Sequence, residues 1–233
     1  MPEDILLSVI MPVYNERDTI AEIVRRVEAS PVRKELVIVD DGSTDGSREI
    51  IRGIESAAMP ITKIFHPVNR GKGAAIRTGL ESVKGDVVII QDADLEYDPN
   101  DFVKILEPIR CGEAKVVYGT RYWDPKNLPR LYLANYIATR LLTFMANALY
   151  GVRITDESTC YKAFHVDVLQ DIRLRCERFE FCPEITAKVA KRGHKIVETP
   201  IHYTGRTKEA GKKIGWRDGV EAIWTLLKYR VVD

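Results

Sequence analysis

The chain has 233 residues, with 35 Lys and Arg against 34 Asp and Glu, a formal net charge of +1, and 45% hydrophobic against 30% charged residues. This is the composition of a folded globular protein, not of a disordered or collagen-like one. The near-zero balance argues against a partner such as nucleic acid, whose phosphates call for a basic surface.

Short β-branched runs at 7–11, 36–40, 62–65, 87–91 and 116–118 are predicted strands. Between them, 19–29, 47–56, 74–83 and 101–110 space their apolar residues at helical intervals, with Asp18 and Asn100 where N-caps belong. Strand and helix alternation of this kind predicts an α/β fold around a central, mostly parallel sheet flanked by helices. Runs 36–40 and 87–91 are almost wholly apolar and should be buried on both faces. At about 100–200 residues per domain, a single domain over 1–233 is expected, its texture changing near residue 125.

The segment 131–150 carries one charge, Arg140, and reads as a helix too apolar for an ordinary surface. It fits either packing on the core or a dimer interface, or contact with a membrane. A short TDESTCYKAF stretch, a helix near 183–191, a strand near 195–199, a basic loop at 206–213 and a terminal helix at 218–229 follow. The terminal helix has Val220, Ile223, Trp224 and Leu227 beside Arg217, Lys228 and Arg230. This pattern suits a core-packing helix with a solvated face, or one lying on an anionic membrane surface.

No apolar run reaches the ~18–20 residues of a membrane span. The acidic start MPEDILLSVIMPVYNE lacks the positive charge of a signal peptide. Cys111, Cys160, Cys176 and Cys182 form no C-x-x-C pair, so reduced cytosolic thiols are expected rather than a zinc site or disulfide framework. His66, His165, His194 and His202 show no metal spacing and read as structural or surface groups. Glu180 and Glu184 suit an acceptor site or a helix N-terminus equally.

Ligands of open α/β sheets bind at the carboxyl ends of the strands. Here those tips read Pro12-Val13-Tyr14-Asn15-Glu16, Asp40-Asp41-Gly42-Ser43 and Asp92-Ala93-Asp94-Leu95-Glu96. Crowded carboxylates are costly to ionise unless a cation compensates them. Oxygen ligands without His or Cys suit Mg²⁺ or Mn²⁺. PVYNE replaces the G-x-G-x-x-G of a dehydrogenase, and Asn69-Arg70-Gly71-Lys72-Gly73 lacks P-loop spacing, so neither hydride carrier nor ATPase is supported. Asp41 fits a nucleotide contact or a simple Asp-Gly turn.

In order, PVYNE, DDGSTDGS, NRGKGAAIRTGL, QDADLEYDP and YGTRY resemble the family 2 glycosyltransferases of the nucleotide-diphospho-sugar transferase (GT-A) fold. TCYKAF, RFEFCPEITAKVAKRG and ETPIHYTGRTKEAGKKIGWRDG are similar to the branch of dolichyl- and polyprenyl-phosphate sugar synthases. The resemblance covers about residues 8–229. It implies a donor half at about 1–125 and an acceptor half at about 126–233. It also implies that Pro12, Tyr14, Glu16, Val39 and Asp41 hold the nucleobase side. Asp92, Ala93 and Asp94 map onto the D-x-D motif, with Asp94 and Glu96 as metal ligands. Arg121, Arg206 and one of Lys212 and Lys213, preferably Lys213, map onto phosphate contacts, with Asp94, Arg121 and Arg206 as the catalytic set.

The implied reaction is metal-dependent, inverting transfer of a sugar from a nucleotide-diphospho-sugar, GDP-mannose or a UDP-sugar, to a polyprenyl or dolichyl phosphate. The expected place is the cytoplasm, peripherally on the membrane face, with a homo-oligomer or a membrane partner protein compatible with the pattern. Ser158-Thr159-Cys160-Tyr161-Lys162 departs from the better-known synthases, so mannose does not follow. Leu174 replaces the Trp of the Q-x-x-R-W of processive polymerases, which disfavours that activity. Transfer to a glycan or protein hydroxyl remains the alternative, and a sugar nucleotidyltransferase is less well matched because PVYNE is not its Gly-rich basic loop.

Overall fold

Alternate strand side chains entering two core layers, one on each face of the sheet, organise the molecule. The computed structural model describes residues 5–123, 133–206 and 215–232. In chain order the elements are β1 (Leu7–Val13), α1 (Ile20–Ala29), β2 (Lys34–Asp40), α2 (Ser47–Gly53), β3 (Ile61–Phe65), α3 (Lys72–Leu80) and β4 (Val87–Ile90). There follow α4 (Phe102–Arg110), β5 (Val116–Thr120), α5 (Leu133–Tyr150), β6 (Lys162–His165), α6 (Val166–Gln170), α7 (Phe181–Lys191), β7 (Ile196–Pro200) and α8 (Trp216–Val231).

The strands form one seven-stranded sheet in the order β3-β2-β1-β4-β6-β5-β7. All pairings are parallel except those of β6, which runs antiparallel to β4 and β5. Leu7, Val9, Met11 and Val13 face one layer, with Ile20 and Ile23 of α1 and Ile105 and Ile109 of α4. Ile10, Val88, Ile90 and Tyr118 face the other, with Ile76 of α3, Leu142 of α5, Ile185 of α7 and Leu226 of α8. Each such aliphatic side chain contributes about 1.5–3 kcal/mol by leaving water. The expected double-sided burial of β2 and β4 is observed.

Register levels the functional tips. Val13 lies opposite Asp40 and Ile10 opposite Ile90, so the chain leaves β1, β2 and β4 at the same edge. Two glycines let loops close there. Gly42 has φ +75°, and a Cβ on it would lie 2.5 Å from the backbone of Val68 and Asn69. Gly71 has φ +94°, and its Cβ would lie 2.3 Å from the Glu177 carbonyl.

Several expectations are corrected. Asp18 does not cap α1: Thr19 occupies the N-cap position and no side chain caps it. Asn100 is not a cap either; the Asp98 side chain accepts from the Asn100 N–H, opening a 3₁₀ turn ahead of α4. Strand β6 escaped prediction because it is four residues long and begins with a lysine. Lys162 is nevertheless fully buried, its Nζ donating to the Glu157 and Thr159 carbonyls at 2.5 and 2.6 Å over the Tyr118 ring. The terminal helix does not pack by Val220, Trp224 and Leu227, which are exposed. It packs by Ala222, Thr225, Leu226 and Tyr229, with Ile223 half-buried.

Candidate active site

At the β1 and β2 tips, short polar side chains zip two loops together by bonding to each other's backbone. Asn15 adopts φ 51°, and its Oδ1 accepts from the Thr44 N–H at 2.8 Å. The N–H groups of Asn15, Glu16 and Arg17 donate to Ser43 Oγ, Ser47 Oγ and Asp45 Oδ2 at 3.0, 2.9 and 3.0 Å. This accounts for Asn, Ser and Asp at these positions: they satisfy backbone groups that no strand or helix pairs. Pro12 pairs in register with Val39, whose buried side chain packs with Val37 and Ala75. Tyr14 is exposed at the rim.

Asp41 is more than a turn residue. Its carboxylate is buried and accepts the Arg70 and Gly71 N–H groups at 2.9 and 2.7 Å. His66 Nδ1 lies 2.7 Å away, with its Nε2 3.0 Å from Thr78 Oγ1. Asp41 thus ties the β2 tip to the NRGKG loop. His66 is structural, as expected, and acts by holding Asp41.

The D-x-D segment sits on an aromatic floor. Tyr97 stacks on Tyr161 at 4.7 Å and meets Tyr203 at 5.3 Å, while the Tyr161 hydroxyl donates to Gln91 Oε1 at 2.5 Å. Asp92 pairs with Lys72 Nζ at 2.5 Å, and the same ammonium lies 3.2 Å from Cys160 Sγ. Leu95 adopts φ 63°, an unusual conformation for a branched residue, and turns the chain sharply between Asp94 and Glu96. The Glu96 N–H donates to Asp94 Oδ1 at 3.1 Å. Burial, then the charges of Asp92 and Glu96, push the Asp94 carboxyl up to about 7.

The segment after β7 closes over this cluster. Tyr203 forms an antiparallel bridge with Tyr97. Its hydroxyl donates to Glu96 Oε2 at 2.9 Å, and the Arg206 N–H donates to Glu96 Oε1 at 2.7 Å. Arg206 then reaches two motifs at once: Nε donates to the Asp94 carbonyl at 2.7 Å and Nη2 to Glu16 Oε2 at 2.9 Å. The structure therefore brings Glu16, Asp94, Glu96 and Arg206 together although they lie far apart in the chain.

Arg121 stands at the β5 tip but is buried. Its Nε and Nη2 both donate to Asp156 at 2.7 Å, and its guanidinium lies 5.0 Å over Tyr203. Asp156 in turn is held by its own N–H on Glu198 Oε1 at 3.0 Å. Lys212 and Lys213 lie outside the described residues. Glu180 and Glu184 brace the 175–178 loop: Glu184 accepts the Arg175 and Cys176 N–H groups and Lys188 Nζ, and Glu180 accepts the Glu177 and Arg178 N–H groups. That loop supplies carbonyls to the first N–H groups of α3. Sequence reading overlooked Lys72, Tyr203 and Asp156. Lys72 had a usable signal, since it follows a strand tip and opens a helix.

The donor set tests well for a hard divalent cation. Asp94 and Glu96 offer oxygen ligands of the kind a hard divalent cation takes, and burial with the neighbouring Asp92 and Glu96 charges raises the Asp94 carboxyl, a cost that a bound cation would relieve. Among the described residues no three His, Cys, Asp or Glu side chains converge as a preformed cage.

Residues 8–173 match the model of Glycosyl transferase family 2. The low-salt glycan biosynthesis hexosyltransferase of Haloferax volcanii is 30% identical over 220 residues, covering 91% of this chain and 51% of that protein. The UDP-N-acetylglucosamine–dolichyl-phosphate N-acetylglucosaminyltransferase of Methanococcus voltae is 29% identical over 215 residues, 85% of each chain. The dodecaprenyl-phosphate galacturonate synthase of Rhizobium johnstonii is 28% identical over 190 residues, 78% of this chain and 54% of that protein. The chain thus spans about half the length of the first and third of these relatives. Glucosyl-3-phosphoglycerate synthase from Mycobacterium tuberculosis, crystallised with Mn²⁺, UDP and phosphoglyceric acid, shares the fold at a TM-score of 0.70 and 20% identity, over 98% of this chain and 80% of that one. The order of strand-tip motifs, the switch-point cluster they build and the family match together make this chain a glycosyltransferase with the GT-A fold, a member of glycosyl transferase family 2.

Proposed function

We propose that this enzyme transfers a sugar from a nucleotide-diphospho-sugar to a polyprenyl or dolichyl phosphate, with Mg²⁺ or Mn²⁺, at the cytoplasmic face of a membrane. The observation that carries the reading is the Arg206 contact set: its guanidinium donates to Glu16 Oε2 and to the Asp94 carbonyl while its backbone N–H donates to Glu96 Oε1, so one cation stands beside the first strand tip and the Asp94–Glu96 turn. The diphosphate of a donor lying across the switch point passes through that place. The activities of the Methanococcus and Rhizobium relatives support the lipid-phosphate acceptor.

Pro12, Tyr14, Glu16, Val39 and Asp41 would line the nucleobase side, Val39 through its backbone. Asp92 and Ala93 would border the sugar and diphosphate, with Asp92 held in place by Lys72. Asp94 and Glu96 would hold the metal ion, which when bound neutralises charge on the leaving nucleoside diphosphate. Arg206 supplies further positive field there, the role the family resemblance also gives Lys213, and Arg121, fixed by Asp156, supplies it from a buried position. A phosphate monoester loses its second proton near pH ~6. The acceptor is therefore already a dianion at neutral pH, and no side chain must act as a strong base. Residues 1–233 act as one unit in this scheme, the first half holding the donor and the second the acceptor.

The test is transfer from a panel of UDP- and GDP-sugars to a short polyprenyl phosphate with Mg²⁺, Mn²⁺ or EDTA. Metal-dependent formation of one lipid-phosphate sugar is expected. Donor binding without lipid product would move the reading to a hydroxyl acceptor.

A further inference from the structure

Helix α8 buries one face and leaves the opposite face apolar. Trp216, Val220, Trp224, Leu227 and Val231 recur at intervals of three and four residues, which puts them on a single stripe. All five are exposed, Trp216 at 76% and Trp224 at 63%. Helix α5 repeats the pattern with Ile137, Leu141 and Phe144, the last exposed at 68%. The two helices pack on one another, and the Tyr150 hydroxyl donates to the Leu226 carbonyl at 2.5 Å. A paired apolar surface of this kind is an interaction site and not the usual scatter of single exposed residues.

Charge selects the occupant. Arg217, Lys228 and Arg230 flank the α8 stripe, and the Arg217 guanidinium lies 5.6 Å over the Trp216 ring. The acidic groups of α8 turn elsewhere: Asp218 accepts from the Gly215 N–H and lies 3.9 Å from Arg178, and Glu221 feels the charges of Glu180 and Arg178. Tryptophan with flanking Arg and Lys is the composition that settles at a lipid headgroup boundary, and basic flanks favour anionic lipid. No helix among the described residues is long and apolar enough to cross a membrane. Contacts place both helices beside the site: the Tyr122 hydroxyl, next to Arg121, lies 2.6 Å from Thr139 Oγ1 of α5, and Asp218 at the start of α8 lies 3.9 Å from Arg178, whose carbonyl accepts from the Gly73 N–H of α3.

We propose that the exposed faces of α5 and α8 form one docking surface that lies in the headgroup layer of an anionic membrane and brings the sheet's carboxyl edge to the lipid. This gives a surface to the peripheral contact proposed above and rests on that reading, but its test does not depend on sugar transfer. The probe is sedimentation of the whole chain with vesicles of equimolar phosphatidylglycerol and phosphatidylcholine, and with phosphatidylcholine alone. Binding to the anionic vesicles is expected. The double variant Trp216→Gln, Trp224→Gln should lose on the order of tenfold or more in partitioning. The triple variant Arg217→Gln, Lys228→Gln, Arg230→Gln should lose the preference for phosphatidylglycerol and the salt sensitivity. All variants should unfold as the wild type does and transfer sugar normally to a short water-soluble acceptor without vesicles. Equal partitioning of wild type and double variant would overturn the proposal. So would a wild-type dimer that the double variant dissolves, because the stripe would then be an interface between copies. Vesicle binding without transfer to any polyprenyl phosphate would sink the acceptor assignment and leave the surface standing.

Discussion

The β1, β2 and β4 tips and the α5–α8 pair carry function in opposite ways. At the tips nearly every polar group has a near neighbour in sequence or on the next loop: Asn15 on Thr44, Asp41 on Arg70 and Gly71, Glu96 on Asp94. The helix pair instead holds its distinctive apolar residues outward, exposed on the surface. The lesson is that a site for a small charged ligand is built from satisfied polar geometry, whereas a surface for an extended apolar partner is built from what folding leaves uncovered.

The sharpest way to break the first half of that contrast is Asp94→Ala. Transfer should fall on the order of 10³-fold, about 4 kcal/mol in activation free energy, while circular dichroism stays unchanged. Wild-type turnover in this variant would remove Asp94 from the site.

Next in size is Asp156→Ala. It strands the buried Arg121 guanidinium, so urea unfolding should show a loss of about 3–5 kcal/mol. Replacing both partners, Arg121→Met with Asp156→Leu, should restore part of that stability and none of the activity. Gly42→Ala meets both a positive φ and the Val68–Asn69 backbone, and should cost about 2 kcal/mol or more by the same measurement.

The pH dependence sharpens the comparison further. Asp94 is raised from its ordinary 3.8 to about 7, so the folded state holds a proton there that the unfolded state has released. Its stability contribution is intact below pH ~4, declines as pH rises through that window to about 7, and then levels off at its lowest value. In metal-free buffer Asp94→Asn should flatten this decline, and thermal melts from pH 4 to 8 check it. Adding Mg²⁺ should raise the wild-type melting temperature at pH 8 and leave the Asn variant unmoved. The smallest effect belongs to the other region: Trp224→Gln should alter unfolding free energy by no more than about 0.5 kcal/mol, since an exposed side chain contributes little to the folded state.

Much was legible from residues alone. The five strands 7–11 to 116–118, their helical spacers and the carboxylate-rich tips follow from local periodicity and turn chemistry, which a short window contains. So does the place of Asp94 and Glu96, because strand tips are where such folds bind ligands. Tertiary structure decided the rest. Lys162 can be buried because Tyr118 and two loop carbonyls receive its ammonium, and β6 pairs antiparallel with β4 and β5. Arg121 finds Asp156, Lys72 finds Asp92, and Arg206 finds both Glu16 and Asp94, all through contacts between residues distant in the chain. The same holds for Trp224. Its spacing marks an apolar helix face, but whether that face is core or surface depends on which side α5 and α7 cover, and they cover the side of Ala222 and Leu226. Periodicity specifies that a face exists; only packing specifies which face is left for a partner.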